Sequence, residues 1–280
     1  MAADDSRSLQ RAVDLAVERT PNVTWSIMVR DVSGAPIAQH GASAVCSTAS
    51  IGKLLLLIEV AHQLDERRSQ PAESTKPELT KASALAVADS GLWQHLQAPS
   101  LAVEDVAVLV AAVSDNLATN VLLDHVGLAT VDSRRAALGL KHTQLHDYVR
   151  DERSAGDPPR LSSGNASELS GLVYRLQAGE VISASVSSKV RGWLATGVDL
   201  SMVAGAFGVD PLAHMEPDRD IRVWNKTGTN DGVRADVGVA HGNNSAVSYA
   251  VLANFEADGP LRDEVLDAMR SLGTALRRVI

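Results

Sequence analysis

The sequence predicts an α+β fold in which an antiparallel sheet, built from both ends of the chain and flanked by helices, accommodates an inserted all-helical subdomain. Three observations predict it. Strand-like segments occur only towards the two termini, the middle of the chain carries helical periodicity, and one central segment is apolar around its whole circumference. On this reading residues 1–45 and 206–280 form a discontinuous α/β subdomain and residues 46–205 the helical one, the two making one structural unit.

Taken in order, Ser8 to Val17 places Leu9, Ala12, Val13, Leu15, Ala16 and Val17 in a helical pattern and predicts a helix lying on the sheet. Val23 to Val32 reads as a strand, Ser33-Gly34 as a turn and Ala35 to His40 as its hairpin partner. Ser50 to about Gln63 is the nearly all-apolar helix, which belongs in the middle of a domain. Val103 to Val113, Asn116 to Val126, Ala166 to Leu176 and Ser185 to Ala195 continue the helical signal. Ile221 to Lys226, Arg234 to Ala240 and Ala246 to Phe255 then read as three strands joined by Gly, Asn and Asp turns. After Gly259-Pro260, Leu261, Val265, Ala268, Met269, Leu272, Leu276 and Val279 share one face of a final helix, with Pro260 suited to its first turn.

Composition narrows the function classes. Only 3% of the 280 residues are aromatic and the net charge is -8, which argues against a stacking platform or a basic surface for nucleic acid. The single cysteine, Cys46, forms no intrachain disulfide and no cysteine-rich zinc site, and reads as a small buried hydrophobe. Of eight histidines only His142 and His146 have His-x-x-x-His spacing, and the glutamate a zinc protease places after the first is missing. The expectation is therefore no metal, no cofactor, no nucleic acid and no membrane. The acidic, polar start from Met1 to Gln10 is not a signal peptide, so the chain as it stands reads as cytoplasmic, or as exported if a leader has been removed.

Three short motifs carry chemistry. In Ser50-Ile51-Gly52-Lys53, a serine is followed one turn later by a lysine, and an apolar setting lowers a lysine's pKa until it can accept a serine proton. A helix start at Ser50 also offers backbone N–H groups and positive potential to an oxyanion. Ser114-Asp115-Asn116 forms a turn between two helices, and Lys226-Thr227-Gly228-Thr229 ends a strand. Singly, each has a plain explanation as a cap, a turn or a solvated lysine.

Together and in this order, the motifs resemble those of class A β-lactamases and penicillin-binding proteins. Leu101 to Asn116, Ala118 to Leu123 and Lys226 to Val239 also look like the corresponding stretches of that family, the similarity weakening between about Gly127 and Pro211. The resemblance implies a β-lactamase/transpeptidase-like fold and a serine hydrolase acting on cyclic amides, a monomer whose partner is a small-molecule substrate, a β-lactam or related acyl compound. Ser50 is the implied nucleophile, Lys53 the base or proton relay, and Ser114 the donor to the leaving nitrogen, held by Lys226. Backbone N–H groups of Ser50 and Thr229 would form the oxyanion hole. Asn116 would hold the turn and touch Lys53, while Lys226, Thr227, Gly228, Thr229 and Arg234 would bind the substrate carboxylate.

The family's Ω-loop carries a glutamate, followed four residues later by an asparagine, that positions the deacylating water. Aligning His142 to Leu145 on the usual lead-in puts Val149 and Arg153 at those places. Asp151 or Glu152, with Asp147 a third option, are the carboxylates the loop offers instead. Three readings stay open: a β-lactamase with slow release, a related serine hydrolase acting on another ester, amide or peptide, and a non-catalytic acylatable sensor.

Overall fold

The computed structural model describes residues 3–68, 77–87, 90–217, 220–257 and 261–280. Its elements, in chain order, begin with helix α1 (Ala3–Arg19), strands β1 (Thr24–Arg30), β2 (Pro36–His40) and β3 (Cys46–Ser47), and helix α2 (Lys53–Arg68). Strands β4 (Glu78–Thr80) and β5 (Ser100–Ala102) follow, then helices α3 (Val103–Val113), α4 (Asn116–Val126) and α5 (Leu128–Ala137). Strands β6 (Gln144–Leu145) and β7 (Ser162–Gly164) bracket a long loop before helices α6 (Ala166–Ala178) and α7 (Ala184–Leu194). Strands β8 (Arg222–Asn230), β9 (Val233–His241) and β10 (Ala246–Asn254) and helix α8 (Leu261–Arg277) complete the chain.

The main sheet has the order β2-β1-β10-β9-β8 and its neighbouring strands run antiparallel, so the α+β fold with a sheet drawn from both chain ends is the observed one. Alternation along the strands gives the sheet two apolar faces. Ile27, Val29, Ala240, Val247, Tyr249 and Val251 share a core with Leu9 and Val13 of α1 and with Val265, Met269 and Leu272 of α8. Met28, Ala235, Val237, Val239, Ala250 and Leu252 belong to a second core that continues into α2, α3, α4, α6 and α7. The expected Gly259-Pro260 lead-in to the last helix lies outside the described residues.

Residues Lys53 to Ala61 of α2 are all buried, as a helix apolar on every side requires. Its one acid there, Glu59, is 3% exposed and accepts a hydrogen bond at 2.7 Å from Arg134 of α5. Sequence reasoning overlooked α5 because only Val131 of that helix is buried, leaving no apolar stripe to read.

Three expectations need correction. Residues 46–205 are not all helical, since the short strands β3 to β7 lie within them and pair into two small sheets. Ser50 does not start the α-helix. It sits in a 3-10 turn, Ala49–Gly52, closed by Ile51 N–H donating to Thr48 O at 3.1 Å, and the α-helix begins at Lys53. Lys226-Thr227-Gly228-Thr229 does not end its strand either. β8 runs on to Asn230, because pairing with β9 continues to Asn230 opposite Val233.

Candidate active site

Ser50 is brought to a cleft by a turn pinned from three directions. Asn254, at the end of β10, accepts from Ser47 N–H at 2.7 Å and donates back to Ser47 O at 2.9 Å. On the β7 side, Thr48 N–H donates to Ser162 O and the Thr48 and Ser162 hydroxyls meet at 2.7 Å. The third constraint is β8, the edge strand of the sheet, which passes so near that a Cβ on Gly228 would lie 2.2 Å from Thr48 O. Only glycine allows that approach. Ala49, immediately before Ser50, has φ +47°, a strained value for a residue with a side chain and one that surrounding contacts must hold.

The turn between α3 and α4 supplies the second wall. Ser114 closes α3 in the left-handed region, at φ +56°. Asp115 caps α4 by accepting from Ala118 N–H at 2.9 Å, and its other oxygen takes the N–H groups of Leu92 and Trp93 at 2.7 and 2.8 Å. Asn116 then directs its Oδ1 at Lys53 Nζ, 2.8 Å away.

Both lysines converge on Ser114. Lys53, fully buried, contacts Ser114 O at 2.6 Å, Ser114 Oγ at 3.2 Å and Asn116 Oδ1. Lys226 Nζ lies 3.1 Å from Ser114 Oγ and donates to Thr227 O at 2.9 Å. Burial, reinforced by the charge of Lys226 and only partly opposed by Asp115, holds the Lys53 pKa well below the ordinary lysine value. Charged, Lys53 donates to Ser114 O, Ser114 Oγ and Asn116 Oδ1. In its neutral form Ser114 O and Asn116 Oδ1, which can only accept, would take the two remaining hydrogens and leave the lone pair towards Ser114 Oγ, giving a chain from Lys226 N–H through the Ser114 hydroxyl to Lys53 N.

Burial also lowers Lys226, to about 8, against the opposing charges of Asp199 and Asp236. It therefore remains mostly protonated at neutral pH. Asp199 lines the cleft, and although burial pushes its carboxyl up, hydrogen bonds from Ser201 and Thr227 and the Lys226 charge bring it below the ordinary value. Asp236, fully buried on β9, is raised to about 6 by desolvation despite accepting from Asn225, Ala204 N–H and Tyr249 OH. Sequence reasoning named neither acid: Asp199 stands in a segment without a motif, and Asp236, although within the family-like stretch Lys226 to Val239, lies outside the short motifs.

Ser50, Ser114, Asn116, Lys226, Thr227 and Thr229 all line one cleft of about 960 Å³. Arg234 does not. Its guanidinium folds back onto the β8–β9 hairpin and donates to Asn230 O and Val233 O, so placing it on a substrate carboxylate does not fit this geometry.

Another wall of the cleft comes from the loop between β6 and β7. Val149 lines it, its backbone clamped by Asn120, which accepts from Val149 N–H at 2.8 Å and donates to Val149 O at 3.0 Å. Asp151 is exposed and lines the cleft, whereas Glu152 is exposed and does not. Asp147 turns away into ion pairs with Arg150 and Arg153, at 2.7 and 2.6 Å. Arg153, at the position expected of an asparagine, also ties to Pro158 O and so staples the loop to itself.

Cys46 is buried and its thiol pushed up to about 11, chiefly by desolvation, which makes it a poor nucleophile. His146 meets Ser163 Oγ at 2.8 Å, and among the described residues no group of three or more His, Cys, Asp or Glu side chains forms a metal-ligand set. No helix among them is long and apolar enough to cross a membrane.

The model of the beta-lactamase enzyme family matches residues 7–280. Among solved structures, a beta-lactamase from Sphaerobacter thermophilus is 21% identical with a TM-score of 0.79, over 94% of each chain. PBP-A is likewise 21% identical at TM-score 0.79, over 96% of this chain and 95% of that one for a variant carrying glutamate in place of a leucine, solved as an acyl-enzyme complex with penicillin G. A beta-lactamase from Burkholderia vietnamiensis is 16% identical with a TM-score of 0.78, over 96% of this chain and 95% of that one. No curated protein sequence matches the chain.

Proposed function

The chain belongs to the beta-lactamase enzyme family, and from that premise we propose that it is a serine hydrolase of the class A type, acylated at Ser50 by β-lactams and slow to release the acyl group. The observation that carries this reading is the convergence of Lys53 and Lys226 on Ser114 in the cleft that contains Ser50.

In the proposed reaction Ser50 Oγ attacks the lactam carbonyl and its proton passes to the Lys53 side of the array. The C–N bond breaks and the departing nitrogen takes a proton from Ser114, which is resupplied along the same chain. Lys226 keeps the Ser114 oxygen polarised and, with Thr227 and Thr229, holds the carboxylate on the leaving side. The backbone N–H groups of Ser50 and Thr229 take the oxyanion, each such donor being worth about 3 kcal/mol.

Release is the slow half. Hydrolysis of the ester needs a base beside the attacking water, and Val149 presents none. That observation favours a second reading, an acylatable protein of the penicillin-binding kind with negligible turnover, and PBP-A is among the similar structures.

Rapid mixing with a chromogenic cephalosporin separates the two. The expected trace is a burst of one equivalent followed by slow hydrolysis, with an intact mass one acyl group heavier during the slow phase. A burst without turnover favours the second reading, fast hydrolysis with no burst defeats slow release, and no adduct at all defeats both. The burst rate should also fall above pH 8, where Lys226 with its pKa of about 8 loses its proton. The fall approaches about tenfold per unit if only the charged form works. A burst rate level from pH 7 to 10 would remove Lys226 from the mechanism.

A further inference from the structure

The loop wall of the cleft, from Val149 to Leu161, brings three arginines to it. Two of them are committed within the loop. Arg150 donates to both oxygens of Asp147 and meets Asp157 at 3.4 Å, and Arg153 donates to Asp147 and to Pro158 O. Arg160 is different: it is exposed, it lines the cleft, and among the described residues no hydrogen bond or ion pair engages its guanidinium. The loop thus balances two of its cations internally and leaves the third, at the cleft wall, without an ion-pair partner among the described residues, its charge bearing on Cys46 and His146.

An acyl donor attacked at its carbonyl by Ser50 has two arms. The leaving arm must reach Ser114, which lies against Lys226, so that arm occupies the part of the cleft near β8. The acyl arm takes the remaining space, towards the loop wall. Of the acids in the cleft, Asp199 is held by Ser201 and Thr227, while Asp151 and Asp231 are exposed at its edge and form no ion pair with Arg160. A guanidinium offers two parallel N–H groups that match a carboxylate.

We infer that Arg160 is a specificity residue for the acyl arm and that the preferred acyl donors carry a carboxylate there in addition to the one on the leaving side. This rests on acylation at Ser50 as proposed above.

Three penicillins that differ only at the side-chain α carbon test it: benzylpenicillin, its α-carboxy derivative and its α-amino derivative. The readout is the second-order rate of adduct formation by intact mass, at low ionic strength. The α-carboxy compound should react about threefold faster than the parent, as suits a solvent-exposed ion pair. In Arg160→Gln that ratio should fall to about one, and in 0.5 M salt it should shrink in the wild type as well. A ratio of one in the wild type, a ratio that survives Arg160→Gln, or a preference for the α-amino compound each overturns the inference while leaving acylation at Ser50 intact. If none of the three forms an adduct, the parent reading fails and this one falls with it.

Discussion

Ser50→Ala is expected to give a folded protein that no β-lactam labels. The Ser50 side chain makes no hydrogen bond among the described residues, and the turn is held by Ser47, Thr48 and Ala49, through Asn254 and Ser162. Stability should therefore change by less than about 0.5 kcal/mol. The chemistry should collapse, because Lys53 and Ser114 can move a proton but nothing remains to form the acyl bond. Loss of a serine nucleophile costs on the order of 10⁶ in rate. Gel labelling with a fluorescent penicillin, beside a thermal melt, reads both quantities. An unlabelled protein with an unchanged melt supports the assignment, and a labelled variant assigns the nucleophile elsewhere.

Val149→Glu should act on the other half of the reaction, speeding release of the acyl group by about 10²- to 10⁴-fold, the usual contribution of a positioned general base. The backbone at this position is fixed by Asn120, and the wild-type side chain is half-buried at the cleft wall. A glutamate there would direct a carboxylate towards the ester on Ser50 without competing for Asp147, whose oxygens already hold Arg150 and Arg153. Isolating the acyl-enzyme and following loss of the adduct mass gives the rate directly. If that rate is unmoved in a variant that still acylates, Val149 is not where the base belongs.

Much of this was legible in the sequence because local chemistry constrained it. The limits of α3 and α4 were readable to the residue, since Ser114 and Asp115 are the left-handed stop of one helix and the cap of the next. The convergence on Ser114 was implied by the resemblance that the three motifs carry together, each of them singly having a plain explanation. What the sequence concealed depends on distant pairing. Asp199 reaches Lys226 and Thr227 from an unpatterned segment, and Asp236 acts from the neighbouring strand β9, paired with Thr227, and accepts from Asn225. Arg234 was expected on the substrate carboxylate from the family resemblance alone, whereas its guanidinium bonds nearby carbonyls. The turn at Ser50 looked helical because Lys53 and the leucines after it are, and only the left-handed Ala49 and the closeness of β8 explain the tighter winding.

The reciprocal hydrogen bonds between Ser47 and Asn254 join positions 207 residues apart. A chain emerging from the ribosome therefore holds Ser50 for most of its synthesis without the brace that shapes its turn. Such long-range closures come late and make folding slow. The turn that carries Ser50 is consequently complete only in the finished molecule: β8, whose Gly228 passes against Thr48, and β10, which supplies Asn254, must both be in place. Nascent or truncated chains that lack those strands hold the turn from the β7 side alone, through Ser162.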